Sequence, residues 1–235
     1  MTTRTESVDT PAGEARVTWH PADAARLVLA VGHGAGGGIE ARDLQALAAA
    51  LPGRGITVAL VEQPWRVAGK KVAAAPKVLD EGWRALWPAL LAAGPPVVAG
   101  GRSAGARVAC RTAAGLGAAG VLALAFPLHP PGRPEKSRAE ELLGAGRPTL
   151  VVQGGRDPFG HPDEFPPAGS GSGLDPGLDP APGARPGPRT PYELVAVPHG
   201  DHGFAVPKRA DVTQAETLAA ITGAVAEWLD RLPLR

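Results

Sequence analysis

The chain has 235 residues, 44% of them apolar, and a formal net charge of +1 from 24 basic and 23 acidic side chains. That is material for one sizeable core, and nothing in it requires a second domain. A charge this balanced gives no one-signed field for nucleic acid or an anionic membrane, and the longest apolar runs, such as 120–126, fall short of the roughly 20 residues a membrane helix needs. A small-molecule partner is expected. Cys110 is the lone cysteine and has no intrachain disulfide partner. The polar opening "MTTRTESVDTPAGEA" has no apolar leader, so a cytoplasmic setting is expected.

In chain order, "EARVTWH" (14–20) predicts an edge strand and "RLVLAVG" (26–32) a buried one. "IEARDLQALAAALPG" (39–53) carries apolar residues at helical spacing, and "GITVALVE" (55–62) returns to a strand. A helix over "APKVLDEGWRALWPALLAAG" (75–94), a strand over "PPVVAGG" (95–101) and a helix over "AGARVACRTAAGLG" (104–117) follow. "GVLALAF" (120–126), "RPTLVVQGG" (147–155) and "YELVAVP" (192–198) predict three more strands, and "TQAETLAAITGAVAEWLDRL" (213–232) a closing amphipathic helix. The alternation implies an α/β fold: a single domain over 1–235, with a mostly parallel central sheet and helices on both faces in three layers. In such a sheet the loops at the carboxyl ends of the strands form the ligand crevice. Residues 166–191, rich in Pro, Gly and Ser, predict a flexible insert before the last strand.

One such loop stands out. Gly101-Arg102-Ser103-Ala104-Gly105 lies between the run Val97-Val98-Ala99 and a helix starting at Ala104. A turn that tight projects the serine into the crevice and needs neighbours without bulky Cβ groups, the form of a nucleophile elbow. The competing reading makes Ser103 only the cap of the next helix.

A serine hydroxyl becomes nucleophilic when a histidine takes its proton and a carboxylate orients that histidine. Asp157 follows the strand "TLVVQGG", and His202 lies in the loop after "YELVAVP". The order Ser103, Asp157, His202 is that of α/β-hydrolases. His199, closer to the strand end, is the rival base, and Asp163 and Glu164 in "HPDEF" are the rival acids. That segment, with His161, matches no metal-ligand spacing, so no metal or cofactor is expected.

The tetrahedral oxyanion of acyl transfer needs backbone N–H donors. The Ala104 amide is one candidate. The other lies in "VGHGAGGG" (31–38), with Ala35 first and Gly34 next. A phosphate cradle is the alternative for that loop, but it has no G-K-[ST], and Gly32, Gly34 and Gly37 match G-x-G-x-x-G in form only.

The segments "GHGAGG", "EQPWRVAGKK", "GGRSAGARVA", "FPLHPPGRPEKSR", "VVQGGRDPFG" and "GDHGF" together resemble α/β-hydrolases of the dienelactone-hydrolase-like and KANL3/Tex30-like group, from about Leu27 to the C-terminus. The resemblance implies a triad of Ser103, Asp157 and His202, with "GHGAGG" at the oxyanion site. The expected activity is a serine hydrolase cleaving a small carboxylic ester or thioester; the alternative is a non-catalytic interaction module on the same fold. Candidate substrate contacts are His33, Trp65, Arg66, Arg102 and His129, with Lys70 and Lys71 in the same basic loop as Arg66. Arg102 and Arg107 have structural ion pairing as their competing role. Cys110, two helical turns beyond Ser103, is expected to be a buried small side chain without a role.

Overall fold

The structure, a computed structural model, describes residues 2–167 and 192–234. The insert expected at 166–191 lies outside the described residues apart from Pro166 and Pro167.

Eight strands form one sheet: β1 (Arg4–Thr10), β2 (Gly13–His20), β3 (Leu27–Gly32), β4 (Ile56–Glu62), β5 (Val97–Arg102), β6 (Val121–Leu124), β7 (Thr149–Gly154) and β8 (Tyr192–Val197). Their order is β1-β2-β4-β3-β5-β6-β7-β8. The first two join antiparallel, and from β4 through β8 all neighbours are parallel. The helices are α1 (Arg42–Ala50), α2 (Pro64–Val67), α3 (Pro76–Leu91), α4 (Ala104–Thr112), α5 (Ala139–Leu143) and α6 (Gln214–Arg231).

The period of two along each strand divides the core. Leu27, Leu29 and Val31 of β3, with Val58 and Leu60 of β4, face a layer holding Leu44 and Leu47 of α1 and Val225 and Leu229 of α6. Val28, Ala30, Ala59 and Ala99 face the other layer, with Trp83 and Trp87 of α3 and Ala106 and Ala109 of α4. Small side chains on that second face let α4 settle close to the sheet. At its N-terminus the fit tolerates only glycine: a Cβ on Gly105 would lie 2.6 Å from the Gly32 carbonyl oxygen, and one on Gly101 would overlap the Gly105 backbone.

The structure corrects the expected edge. Residues 14–20 fall within β2, which is interior, because β1 pairs outside it from Arg4 opposite Trp19 to Thr10 opposite Gly13. The polar "RTESVDT" of β1 is held by this hairpin pairing and by an Arg4 guanidinium 5.0 Å from the Trp19 ring centre, with little burial. The run at 120–126 stops being strand at Leu124, where Ala125 turns to φ 44°. In "EQPWRVAGKK", the basic loop expected after Glu62 contains the short helix α2. Among the described residues no helix is long and apolar enough to cross a membrane.

Replacing Gly101 by Ala forces a methyl into backbone that has no room to yield. The expected cost is about 3 kcal/mol, a fall in Tm of roughly 6–12 °C for a chain of this size. Thermal unfolding of G101A against a neutral glycine site, Gly53→Ala, checks it.

Candidate active site

The elbow is built at the end of β5. Ser103 donates its backbone N–H to the Leu124 carbonyl, 2.9 Å away, and sits at φ 53°, ψ −112°, a strained backbone for any residue with a Cβ. α4 starts at the next residue. Its first amides, Ala104 among them, have no acceptor within the helix and carry the positive end of its dipole toward the crevice.

His202 follows β8 and turns toward Ser103. Its Nε2 lies 2.9 Å from Ser103 Oγ, and its Nδ1 lies 2.7 Å from Asp157 Oδ2. The carboxylate only accepts, so Nδ1 carries the hydrogen and Nε2 keeps the lone pair that faces the serine hydroxyl. His199, the rival base, instead has its Nε2 2.9 Å from Asp211 Oδ1 on the surface. Of the rival acids, Glu164 binds His129 at 2.8 Å and the His161 amide at 2.9 Å.

Asp157 is buried and its oxygens are shared out. Oδ1 accepts from the Phe159 amide at 2.9 Å, and Oδ2 accepts from Gln153 Nε2 at 2.9 Å as well as from His202. Gln153, the penultimate residue of β7, also donates to the Gly160 carbonyl and so closes the loop that carries Asp157. The Phe159 ring lies over His202 with centroids 4.3 Å apart and planes tilted by 32°. Sequence reasoning missed Phe159 and Gln153. The only signal for Gln153 was a polar residue inside a run that should be wholly apolar.

The "GHGAGG" loop comes up against the elbow, as expected from its place after β3. A Cβ on Gly34 would lie 3.3 Å from the Ser103 Cβ, so glycine is what allows this approach. Ala35 follows in an exposed turn. His33 fixes the loop from below. It is buried; its Nε2 accepts from the Gln63 amide at 3.1 Å and its Nδ1 donates to the Gly34 carbonyl at 2.9 Å. Burial lowers its pKa, consistent with a neutral ring. With both nitrogens bound to backbone, His33 has no polar atom left for a substrate, contrary to the sequence expectation.

Three further expected contacts are likewise occupied. Arg102 Nη2 donates to the His202 carbonyl at 2.6 Å, and its Nε lies 3.3 Å from Oδ2 of the fully buried Asp43. Its Nη1 borders Gly34. Arg102 therefore braces the serine, histidine and glycine loops against α1. Arg66 pairs with Glu40 at 3.2 Å. The His129 ring donates to the Pro130 carbonyl and to Glu164, two acceptors that raise its pKa. Trp65, the remaining expected contact, is buried edge-on against His33, centroids 5.4 Å apart. Arg107 pairs with Glu141 at 2.6 and 2.7 Å. Burial pushes the Cys110 thiol up to about 12, which leaves it inert. A second brace holds the histidine loop: Gln214 accepts from Arg42 at 2.8 Å and from the Val206 amide at 3.1 Å, and donates to the Phe204 carbonyl at 2.8 Å. Among the described residues no cluster of three His, Cys, Asp or Glu side chains is placed to hold a metal ion.

Burial raises the Asp43 pKa even though Arg102 opposes the shift. Its charge thus costs the fold stability above the raised value, and the cost fades as pH falls toward the ordinary carboxylate range. Arg102→Met, which strands that charge, is expected to cost roughly 3–5 kcal/mol near neutrality. The Tm gap to wild type should narrow as pH falls to about 5, and the double variant Arg102→Met, Asp43→Asn should recover most of the loss. Thermal melts across pH check both.

Residues 23–174 match the profile of a family described as alpha/beta hydrolase domain. No curated protein matches the sequence significantly. Among solved structures, the fold is similar to XC6422 from Xanthomonas campestris, an a/b serine hydrolase without a lid, at TM-score 0.68 and 21% identity over 100% of this chain and 97% of that one. It is similar to a dienelactone hydrolase from Anabaena variabilis at TM-score 0.68 and 17% identity, over 100% and 99% of the two chains. Est1E from Butyrivibrio proteoclasticus gives TM-score 0.64 at 12% identity, over 97% and 99%. With a family match across well over half its length, on the fold those neighbours share, the chain belongs to the alpha/beta hydrolase family.

Proposed function

We propose that this protein is a serine hydrolase that cleaves a carboxylic ester or thioester of a small molecule through a Ser103, His202, Asp157 triad. The observation that carries this reading is the unbroken hydrogen-bond chain from Ser103 Oγ through both nitrogens of His202 to a buried carboxylate, starting at a strained serine. The solved structures of similar fold include a serine hydrolase, a dienelactone hydrolase and an esterase domain. Within the family, we also propose membership of the dienelactone-hydrolase-like and KANL3/Tex30-like group, on the resemblance of the motifs quoted above, and a cytoplasmic setting.

In the first half-reaction His202 Nε2 takes the Ser103 proton as Oγ bonds to the substrate carbonyl carbon. The charge that develops on the carbonyl oxygen is met by the Ala104 amide and by an amide of the facing loop, Ala35 or Gly34. Collapse breaks the bond to the alkoxide or thiolate, which receives the proton from the His202 imidazolium. Asp157 holds the ring in its Nδ1–H tautomer and stabilises that imidazolium. In the second half, His202 takes a proton from water as the water oxygen bonds to the acyl carbon. The second collapse breaks the bond to Ser103 Oγ, returns the proton to it and releases the carboxylic acid. Protein groups and water supply every step.

A fluorophosphonate needs only an activated serine, whatever the natural substrate. Wild type should be labelled at Ser103, mapped by mass spectrometry; Ser103→Ala should not label, and His202→Ala should label slower by roughly 10³-fold or more. Folded wild-type protein that fails to label contradicts the proposal.

A further inference from the structure

His129 lies in the loop after β6, outside the triad, and both of its ring nitrogens are engaged. Nδ1 is 2.9 Å from the Pro130 carbonyl oxygen, and Nε2 is 2.8 Å from Glu164 Oε2. A carbonyl and a carboxylate only accept, and a neutral imidazole has one N–H to give. The arrangement therefore holds His129 as an imidazolium. Glu164 does not carry the second proton: the bond from His129, and after it the His161 amide, hold its carboxyl below the usual range. The ring is held above the usual histidine value by the Pro130 carbonyl and then by Glu164, against burial. The charged groups around it are Glu164, from the turn Pro162–Glu164, and Arg138, from the far end of its own loop. Arg138 opposes the protonated ring, the least of these influences, and donates to the Pro127 carbonyl. His161 stands beyond Glu164.

The cation is linked to the triad through backbone. Glu164 Oε2 also accepts the His161 amide at 2.9 Å, and His161 Nδ1 lies 2.9 Å from the Gly155 carbonyl oxygen, which fastens the turn to the end of β7. The His129 amide donates to the Phe159 carbonyl at 3.0 Å. Phe159 in turn gives its own amide to Asp157 Oδ1 and lays its ring over His202. His129 thus grips the Asp157 loop twice, at Phe159 through its backbone and at Glu164 through its ring. The two loops also touch closely, since a Cβ on Gly160 would lie 2.7 Å from the Leu128 Cβ. Movement in one is passed to the other.

Resting on the serine-hydrolase reading, we propose that His129 is a positioning residue whose protonated ring clasps the Asp157 loop through Glu164, so that turnover falls when the ring loses its proton. One N–H cannot serve two acceptors. Once neutral, the ring keeps the Pro130 carbonyl of its own loop, and Glu164, its side chain 40% exposed against 8% for His129, turns to water. Phe159 and Asp157 then lose that support. Because the folded value of His129 is the raised one, the clasp is complete below the usual histidine value and opens as pH rises through the raised value. It also opens as pH falls through the lowered Glu164 value.

The test follows kcat and KM for p-nitrophenyl acetate from about pH 6 to pH 10. Wild-type kcat should step down on the alkaline side by about three- to tenfold, with KM little changed. His129→Phe, with folding confirmed by its Tm, should sit on the lower plateau without the step. Glu164→Gln should keep the upper plateau without the step, because the Gln amide can donate to a neutral His129 ring while its carbonyl serves the His161 amide. A loss of stability alone would not produce this pattern. A wild-type kcat with no alkaline step, or a step that persists unchanged in folded His129→Phe, overturns the proposal. Independently of turnover, NMR should find the His129 ring titrating above the usual histidine value and the Phe159 amide signal shifting with the same midpoint. A ring that titrates at or below that value, or a Phe159 amide that ignores it, overturns the clasp whether or not the protein is a hydrolase. The expected titration in a protein that fluorophosphonate does not label leaves the clasp standing and overturns the hydrolase reading, and with it the effect on turnover.

Discussion

The site depends on how closely α4 approaches β3 and β5. Gly101 and Gly105 sit where the chain leaves the sheet, and neither has room for a methyl group. That closeness leaves a single residue between strand and helix, and the residue must take a backbone that only a crowded turn maintains. Ser103 therefore stands clear of the sheet with the unpaired amides of the α4 N-terminus beside it. The same demand for small groups recurs on the facing loop, where Gly34 lets the backbone pass next to Ser103. The alanines of the sheet face beneath α4 serve the same end, since larger side chains there would lift the helix and open the elbow.

Around this elbow, loops from four strand ends are held by directional polar contacts as well as by apolar packing such as that of the buried Phe204. Arg102 reaches the His202 carbonyl and Asp43; Gln214 ties the same loop to α1; Gln153 closes the Asp157 loop; His33 joins the glycine loop to the end of β4. Apolar packing is non-directional and tolerates small slips, whereas a hydrogen bond fixes both a distance and an angle. A proton path of two bonds, 2.9 and 2.7 Å long, calls for the second kind of support. Phe159 contributes a flat apolar cover on His202, limiting the solvent that would compete for its nitrogens.

The layered sheet was legible because parallel strands buried on both faces leave unbroken apolar runs, and the glycine frame of Ser103 was legible because close backbone approach excludes every other residue. β1 was not: its pairing with β2 supplies what its polar side chains do not, and pairing leaves little trace in one sequence. The brackets were hidden for a related reason. Whether Arg102 faces a substrate or Asp43 depends on the register of α1 against β5, which no local pattern encodes, and the same holds for His33, Arg66 and His129. Phe159 is an ordinary loop aromatic until the fold brings it over His202.

The central claim is that Ser103 forms and then releases an acyl intermediate. Rapid mixing with p-nitrophenyl acetate, followed by p-nitrophenolate absorbance and intact-protein mass spectrometry, tests it most directly. The account predicts a burst of one p-nitrophenolate per chain, a transient mass gain of one acetyl group located on Ser103, and no burst in Ser103→Ala. A linear release without burst or adduct, equal in wild type and Ser103→Ala, would contradict it.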